Sequence, residues 1–522
     1  MTAIEISVPE QFNAATYFVD RNLNEQRRAK LAIQSDTDSL TYQELHDRVN
    51  RFGNALRGLG ARIEERVFLL LLDCPEFAIS FFGAIKIGAV PVPVNTLLKP
   101  ADYQYMLNDS RARIAVVSAV LYPQLQAIAR NELRYLEHVV VVGKSEAPRF
   151  SELMEHASPE LEPASTSRDD AAFWLYSSGS TGPPKACVHL QHDMVVCAER
   201  YAKGVLGMTC EDRCFSVAKL FFAYGLGNAL YFPLAVGGTA IVCAGPPKPE
   251  LVFETIKRHW PTLFFSVPSN FAALLAYAEH CPDCDLSSVR HAVSAGEALP
   301  ETIFHRFEQR FGLKILDAIG STEALHMFIA NRPGAARPGS SGQIIDGYEA
   351  KIVDEENNLV ANGEIGNLLI RSDAVCSQYW NRHEQTKNTI EGHWIRTGDK
   401  YYRDSDGYFW YAGRSDDMLK CSGAWVSPVE IESVLIEHAA VQEAAVIGRE
   451  DEDALLKPMA CVVLKNGKTG GPELARELQE LVLSRLPVFK RPRWVEFFPE
   501  LPKTATGKLQ RYKLRERLKF AQ

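Results

Sequence analysis

Hydroxyl side chains, glycines and a lysine are concentrated in one short stretch of the chain. The stretch "YSSGSTGPPK", Tyr176 to Lys185, follows the apolar run "AAFWL". Small residues let backbone N–H groups approach an anion, hydroxyls add donors and the lysine adds a positive charge, which favours a polyphosphate ligand. The spacing is not that of a Walker A loop, because Lys185 follows two prolines and precedes Ala186. An ordinary flexible surface loop is the alternative.

Two further stretches place possible ligands directly after apolar runs. In "SAGEALP", Glu297 is either a ligand or a first-turn residue favoured by a helix dipole. In "DAIGSTEALH", Thr322 could donate to a phosphate and Glu323 could hold Mg²⁺, which needs few protein carboxylates beside a nucleotide. The alternative for this second stretch is a helix N-terminus capped by Ser321 or Thr322.

The last third of the chain adds one carboxylate candidate and two cation candidates. Asp399 and Arg414 flank a predicted hairpin, "YYRDSDGYFWYAG"; a carboxylate accepts well from ribose hydroxyls, and a guanidinium suits phosphate or ribose oxygens. Either could instead be a solvated charge. Lys508 follows a Thr-Gly turn in "LPKTATGKLQRYKLRE", where a solvated basic tail is the alternative.

Composition excludes several classes of protein. With 522 residues and 46% hydrophobic content, the chain is expected to be globular and to contain more than one domain. A net charge of −8 gives no general attraction to nucleic acid or to an anionic membrane. The run "VFLLLL" is too short for a membrane span. With no visible secretory signal, we expect a cytoplasmic protein.

Cysteine usage agrees with that compartment. The chain has 11 scattered cysteines, which fits reduced thiols better than a disulfide framework. Cys281 and Cys284 have metal-like spacing, but no second pair follows them, so an exposed loop is favoured over zinc.

Short apolar runs alternate with helical stretches over the first four fifths of the chain. "RIAVVSA", "HVVVVG" and "HAVSAG" are typical of buried strands, and "EFAISFFGAIKIG" of a helix. This alternation predicts an α/β fold with largely parallel strands and with ligands at their carboxyl ends. After about residue 412 the pattern changes to helix, two strands, helix and a last strand "RWVEFF", which predicts a small α+β domain. We therefore predict a large domain over residues 1–414, with mixed and parallel sheets, and a small mobile domain over 415–522.

Together, and in this order, these motifs resemble those of the acyl-adenylate-forming superfamily of acyl-CoA and aryl-CoA synthetases, peptide adenylation domains and luciferases. The likeness covers nearly the whole chain and includes the phosphate loop, "GSTE", "RTGD", "GRSDD" and "PKTATGK". Within the superfamily, "FWLYSSGSTG", "KLFFAYGLGNALYFPL" and "DDMLKCSGAWVSPVEIE" resemble the benzoate-CoA ligases.

The resemblance implies a two-step reaction. A carboxylate attacks the α-phosphorus of MgATP to give an acyl adenylate and pyrophosphate, and the thiol of CoA then displaces AMP. The implied phosphate-binding residues are Ser177, Ser178, Gly179, Ser180, Thr181, Gly182 and Lys185. The residues implied around adenine are Gly296, Glu297, Ala298, Asp317, Ala318, Ile319 and Gly320. Ser321 is also implied to bind the nucleotide. Thr322 is expected at the α-phosphate, Glu323 at Mg²⁺, Asp399 at the ribose hydroxyls with Arg414 nearby, and Lys508 as the catalytic lysine.

The same resemblance places the second half-reaction in the small domain. Asp416 is the implied hinge, and Lys420, Ser422, Gly423, Ala424 and Trp425 form the segment expected at the site when CoA reacts. A cation between two anions offsets their repulsion, which is the physical reason for a lysine in the adenylation step. Two departures from the family pattern are Ile319, where an aromatic residue is usual, and Ala186-Cys187, where Gly-Val is usual.

The acyl pocket is expected along "FFAYGLGN", with Phe222, Ala223, Tyr224 and Gly225, and with His326 at its far side. An aromatic, glycine-rich wall suits a flat aryl group better than a flexible chain. Core packing is the alternative for Phe221 and Phe222. The sequence leaves open a hydroxy-, amino-, methyl- or halobenzoate substrate, an aryl adenylation protein that loads a carrier protein, a monomer or homodimer, and a regulatory nucleotide-binding protein.

Overall fold

The structure is a computed structural model. It describes residues 6–144, 147–177, 183–415, 417–421, 424–452, 455–465, 467–503 and 509–519, with the backbone alone at positions 420, 424, 425, 518 and 519.

The strands of these ranges are numbered in chain order. They are β1 Leu31–Gln34, β2 Ser39–Thr41, β3 Arg66–Leu70, β4 Val90–Pro93, β5 Ile114–Ser118, β6 His138–Val142, β7 Ala171–Ser177, β8 Lys185–Leu190, β9 Arg213–Ser216, β10 Thr239–Ile241, β11 Leu263–Ser266, β12 His291–Ser294, β13 Ile315–Gly320, β14 Met327–Ala330, β15 Gln343–Ile344, β16 Glu349–Val353, β17 Gly366–Arg371, β18 Gln378–Tyr379, β19 Ile390–Glu391, β20 Trp394–Arg403, β21 Phe409–Arg414, β22 Leu419–Cys421, β23 Ala424–Val426, β24 Val441–Glu450, β25 Leu456–Leu464 and β26 Trp494–Phe497.

The α-helices are numbered in the same way. They are α1 Arg21–Asn24, α2 Tyr42–Gly58, α3 Pro75–Lys86, α4 Pro100–Ser110, α5 Tyr122–Gln126, α6 Phe150–Glu155, α7 Asp193–Cys197, α8 Ala223–Leu226, α9 Phe232–Val236, α10 Pro249–His259, α11 Pro268–Ala278, α12 Glu301–Phe311, α13 His383–Thr389, α14 Pro428–Ile436, α15 Pro472–Arg485 and α16 Arg511–Lys519. Short 3₁₀ turns lie at Ala119–Leu121, Arg130–Glu132 and Val488–Lys490, and π-helical turns at Thr16–Asp20, Ala198–Lys203 and Gly227–Tyr231.

Two sheets with parallel centres organise the larger part of the chain. The first has the order β4-β3-β5-β6 and is parallel throughout. The second has the order β15-β14-β13-β12-β11-β9-β10-β1-β2; it is parallel from β13 to β1, and antiparallel strands add to both edges. Parallel strands buried on both faces need apolar residues at successive positions, which is why the runs predicted as strands form them.

Side chains of successive residues in these strands lie on opposite faces of the sheet and therefore belong to different hydrophobic cores. Val116 joins a core that also contains Phe52 of α2 and Phe81 of α3. Its neighbour Val117 joins a second core with Trp174 of β7. In the larger sheet, Phe264 points into a third core under α10, α11 and α12. The two helices α2 and α3 therefore pack between the sheets, with further layers outside them.

The remaining strands form smaller sheets. β7 and β8 make an antiparallel hairpin that β18 extends, and β16, β17, β19, β20 and β21 make an antiparallel sheet that contains the predicted hairpin. Beyond residue 416 come the β22–β23 hairpin, the sheet β24-β25-β26 and helices α14, α15 and α16. The predicted α/β class with a C-terminal α+β region is confirmed, whereas the boundary at 414/415 stays a prediction.

Two of the local alternatives raised by the sequence are wrong. Glu297 is not a first-turn residue, because α12 begins at Glu301 after the N-cap Pro300. Ser321 and Thr322 do not cap a helix, because the chain turns after β13 and enters the antiparallel strand β14. Within the described ranges, no helix combines the length and the apolar character needed to cross a bilayer.

Candidate active site

Loops that follow parallel strands of the larger sheet bring the predicted site residues to one edge. The segment with Phe222 and Tyr224 follows β9, Gly296 to Ala298 follow β12, and Glu323 follows β13. The carboxyl ends of parallel strands are where α/β sheets bind ligands. Gly296 and Ala298 are exposed and Glu297 is half-buried, so a ligand can reach this edge.

The phosphate-loop candidate joins two paired strands. Ser177 at the end of β7 lies opposite Lys185 at the start of β8 in the hairpin register. Ser178, Gly179, Ser180, Thr181 and Gly182 lie outside the described residues. The ammonium of Lys185 stands 4.4 Å from the centroid of the Tyr379 ring. The fold thus fixes both ends of the loop and the position of its lysine.

The turn that carries Thr322 and Glu323 is held from several sides. Tyr379 donates its hydroxyl to Oε1 of Glu323 at 2.7 Å, and the Cys376 N–H donates to the carbonyl of Glu323 at 2.7 Å. Nε2 of His189 donates to the carbonyl of Thr322 at 2.8 Å, and its Nδ1 lies 2.9 Å from Oδ2 of Asp193. The carboxylate of Glu323 is therefore ordered before any ligand binds.

Three of these positioning residues were not predicted from the sequence. His189 and Asp193 have fully buried side chains, and their i,i+4 spacing was the one available signal. Tyr379 lies in the two-residue strand β18, and its neighbours in sequence carry no pattern that points to the site. Its role depends on the pairing of β18 with β8, which joins segments about 190 residues apart.

Asp317 offers a buried polar group at the adenine position. It lies on β13, is 7% exposed, and its Oδ1 has no hydrogen-bond partner in the described part of the chain. Burial raises the pKa of Asp317 well above its usual value, and the polar groups of Ser294, Ala318 and Leu299 beside it offset this only in part. An unpaired buried oxygen is costly unless a ligand satisfies it. A purine amino group has the donor chemistry that this oxygen lacks.

Asp399 and Arg414 are brought together across the hairpin of β20 and β21. They are register partners, and Oδ1 of Asp399 lies 3.0 Å from Nη1 of Arg414. Asp399 is 8% exposed, so the alternative of a solvated carboxylate is wrong. Arg414 also donates to the carbonyl of Thr397 at 3.0 Å. A half-buried guanidinium beside a buried carboxylate fits a sugar whose hydroxyls can both donate and accept.

The imidazole of His326 packs among the aromatic side chains of the segment predicted to form the aryl pocket. The His326 ring lies 5.9 Å from Tyr224 and 4.4 Å from Phe232, and its Nε2 is 3.2 Å from Oδ1 of Asn228. Burial lowers the pKa of His326 to about 3, because an imidazolium would lose its hydration there. A Cβ on Gly227 would stand 2.5 Å from Cδ2 of His326, so glycine is required at that approach. The pocket wall is aromatic and uncharged.

The other predicted pocket residues have different environments. Phe221 is buried and contacts Phe222 edge to face at 4.4 Å, which is the core packing weighed as its alternative. Ala223 is buried, and Phe222 and Tyr224 are half-buried. Gly225 lies so close to the carbonyl of Lys219 that a Cβ would approach it to 2.2 Å.

In the small C-terminal part, the structure describes the surroundings of the predicted functional residues, but it does not describe all of these residues themselves. Asp416, Ser422, Gly423 and Lys508 lie outside the described residues, and Lys420, Ala424 and Trp425 are described as backbone of the β22–β23 hairpin.

The flanks of the Lys508 segment are well anchored. Lys503 and Leu509 pair as an antiparallel bridge, and Arg511 donates to both carboxylate oxygens of Glu432 at 2.8 and 2.7 Å. Arg511 and Arg515 also lie 3.3 Å from the carboxylate of Asp417.

A metal ion at this site would have few ligands from the protein itself. In the described ranges, no group of three or more His, Cys, Asp or Glu side chains could hold a metal ion by itself. Glu323 fits the lesser requirement of Mg²⁺ that arrives with a nucleotide, because a single oriented carboxylate beside phosphate oxygens supplies the hard oxygen ligands it prefers.

Comparisons with known proteins identify the family. The AMP-binding enzyme family matches residues 19–380, and the AMP-binding enzyme C-terminal domain matches residues 430–508. The chain is 49% identical to the benzoate–CoA ligase of Thauera aromatica over 98% of this chain and 97% of that protein. It is 43% identical to a 4-hydroxybenzoate–CoA/benzoate–CoA ligase of Rhodopseudomonas palustris over 97% of this chain and 94% of that protein.

Solved structures agree with these relatives. An anthranilate CoA ligase in complex with anthranoyl-AMP has a TM-score of 0.94 at 44% identity, covering 98% of both chains. A benzoate CoA ligase from Burkholderia xenovorans has a TM-score of 0.89 at 46% identity, covering 97% of this chain and all of the other. The superfamily assignment made from the motifs and the prediction of an AMP-forming acid–thiol ligase are confirmed: the chain belongs to the AMP-binding enzyme family.

Proposed function

We propose that this AMP-forming ligase joins benzoate to CoA in two steps through an aryl adenylate. The observation that carries the proposal is the pocket beside the Glu323 turn, where Tyr224 and a neutral His326 present rings and no charge. A flat apolar ring fits such a wall, whereas an amino acid would need a carboxylate for its ammonium. The benzoate and hydroxybenzoate ligases among the relatives support the same substrate class.

In the first step, the residues of the large sheet hold MgATP. Lys185 and the loop from Ser177 to Gly182 bind the β- and γ-phosphates, which leave as pyrophosphate. Asp317 accepts from the adenine amino group, and Asp399 with Arg414 binds the ribose. Thr322 donates to the α-phosphate, and Glu323 holds Mg²⁺, which neutralises phosphate charge when bound.

Lys508 completes the adenylation site from the small domain. The attacking carboxylate and the α-phosphate are both anionic, so an ammonium between them lowers the electrostatic cost of their approach. Rotation of the domain near Asp416 then withdraws Lys508 and brings the segment from Lys420 to Trp425 to the site. Gly423 leaves room there for the pantetheine arm, whose thiol displaces AMP.

A substituted benzoate is the second candidate, and a specific observation favours it. Nδ1 of His326 and the hydroxyl of Tyr201 are buried without hydrogen-bond partners in the described ranges, and the two rings lie 5.4 Å apart. A hydroxyl or amino group on the substrate ring could satisfy such atoms, and a site built for that contact discriminates strongly against the unsubstituted acid.

A panel of acids tests both candidates. Pyrophosphate release is measured with benzoate, its 2-, 3- and 4-hydroxy and amino derivatives, cinnamate and octanoate, each with and without CoA, and the thioester is identified by mass. We expect benzoate to have the highest kcat/KM and benzoyl-CoA to form. A hydroxy- or aminobenzoate preferred by more than tenfold would select the second candidate.

The same assay separates the alternatives left open by the sequence. Thioester formed on a phosphopantetheinylated carrier protein but not on CoA would indicate an aryl-loading adenylation protein. Absence of pyrophosphate release with every acid would overturn the ligase assignment and favour a nucleotide-binding regulatory protein.

A further inference from the structure

Tyr379 touches two residues of opposite charge that the proposed function gives to one nucleotide. Its hydroxyl donates to Oε1 of Glu323 at 2.7 Å, and the Lys185 ammonium stands 4.4 Å from its ring centroid. Glu323 and Lys185 come from distant parts of the chain. The tyrosine is 3% exposed and belongs to a small cluster with Cys187 and Cys376.

Each contact has a distinct physical effect. A hydroxyl that donates to one carboxylate oxygen fixes the orientation of the other oxygen, as partners of metal-binding groups commonly do. The ring face attracts the ammonium without neutralising it, whereas a carboxylate would pair with it and weaken its hold on phosphate.

The tyrosine itself is firmly held. Its N–H donates to Oγ1 of Thr386 at 3.1 Å, and the N–H of Trp380 donates to the carbonyl of Ala186 at 2.9 Å. The Trp380 indole donates to the carbonyl of Asp109 at 3.0 Å and packs on Trp174 with centroids 4.6 Å apart. Because Tyr379 is anchored in this way, it can hold Glu323 and Lys185 in place rather than move with them.

We propose that Tyr379 is a positioning residue that sets Glu323 for the metal and Lys185 for the phosphates of the same ATP molecule. The inference rests on the proposed nucleotide roles of those two residues. Because Glu323 and Lys185 both contact Tyr379, the positions of the metal-binding carboxylate and of the phosphate-binding ammonium depend on the same side chain.

Two substitutions separate the two contacts. Tyr379→Phe removes the hydroxyl and keeps the ring, whereas Tyr379→Leu removes both. ATP binding is measured by calorimetry without any aryl acid, once with Mg²⁺ and once with excess EDTA. We expect Tyr379→Phe to weaken binding with Mg²⁺ by about tenfold, and binding with EDTA by less than about twofold. Tyr379→Leu should also weaken binding with EDTA, by about three- to fivefold.

A matched tyrosine and a double variant provide the controls. Tyr17 donates its hydroxyl to Oε1 of Glu199 at 2.5 Å, away from the site, so Tyr17→Phe should bind ATP as the wild type does. If Tyr379 acts through Glu323, Tyr379→Phe combined with Glu323→Gln should bind MgATP no more weakly than Glu323→Gln alone.

The outcomes are distinguishable. Wild-type affinity in Tyr379→Phe, or equal losses with Mg²⁺ and with EDTA, would overturn the proposal, since a merely structural role predicts no dependence on the metal. If the wild type binds MgATP but activates no aryl acid, the substrate assignment is overturned. The ATP-binding test of the Tyr379 variants can still be interpreted in that case. Failure of the wild type to bind MgATP would instead overturn the proposed function itself.

Discussion

Asp399 and Arg414 face each other across two antiparallel strands, with a carboxylate oxygen 3.0 Å from a guanidinium nitrogen. The pair closes the hairpin at the end nearest the predicted domain boundary at 414/415. A nucleotide sugar bound there would contact the large part of the chain at its last strand. The proposed ribose site and the predicted domain boundary at 414/415 are thus adjacent in the fold.

Asp399→Asn should weaken the contact to the ribose while preserving the shape of the side chain. We expect kcat/KM for ATP to fall about tenfold, because a hydrogen bond to a charged group is lost. The sharper measurement compares ATP with 2′-deoxy-ATP. The wild type should discriminate against the deoxynucleotide, whereas the variant should discriminate much less. Undiminished discrimination in the variant would show that Asp399 does not bind the 2′-hydroxyl.

Lys508→Ala should lower pyrophosphate release by about a hundredfold or more, since it removes the cation from between two anions. Thioester formation from supplied benzoyl adenylate should be largely unchanged. Lys503 is a suitable control because its ammonium already pairs with Glu443 at 2.8 Å on the surface. Lys503→Ala should retain adenylation, and an equal loss in both variants would mean that a general basic patch is responsible.

Gly227→Ala should disturb the aryl pocket and spare the nucleotide. The added methyl would stand 2.5 Å from the His326 ring, so the imidazole must move, at a cost of about 1–3 kcal/mol. We expect KM for benzoate to rise about tenfold while KM for ATP changes less than about twofold. Gly58→Ala is the control, because nothing lies within 4 Å of a Cβ at that position. Equal increases in both KM values would indicate a general loss of structure.

His326 should make the protein less stable in mild acid. Burial lowers its pKa from 6.5 to about 3 in the folded state. Between those values the unfolded chain binds a proton that the folded chain does not, so stability falls as pH falls below 6.5, by about 1.4 kcal/mol per pH unit. The thermal midpoint should therefore fall less between pH 7.5 and pH 5 in His326→Gln than in the wild type.

The exposed His305 supplies the comparison for this titration. His305→Gln should reproduce the wild-type pH dependence, because the fold does not bury this side chain. If His326→Gln also behaves as the wild type does, the imidazole is not held neutral by the fold.

The residues proposed to contact ligands were easier to predict from the sequence than the residues that hold them in place. Asp317, Glu323 and Asp399 could be found because each belongs to a local motif next to an apolar strand. Tyr379 could not, because its contacts depend on a two-residue strand that pairs with β8 far away in the chain. The alternative in which Ser321 or Thr322 caps a helix is wrong for a related reason. The antiparallel pairing of β13 with β14 determines the turn at these residues, and local capping propensity does not.

Lys508 stays a prediction from the family resemblance and lies outside the described residues, whereas the residues that flank it are described. On either side of it, Lys503 and Leu509 form an antiparallel bridge, and Arg511 just beyond donates to Glu432. These contacts fix both flanks of the segment to the small sheet and its helices. If Lys508 acts as proposed, it can therefore reach and leave the site only together with these elements. Adenylation should then be limited by movement of the whole small domain, and higher solvent viscosity should lower its rate.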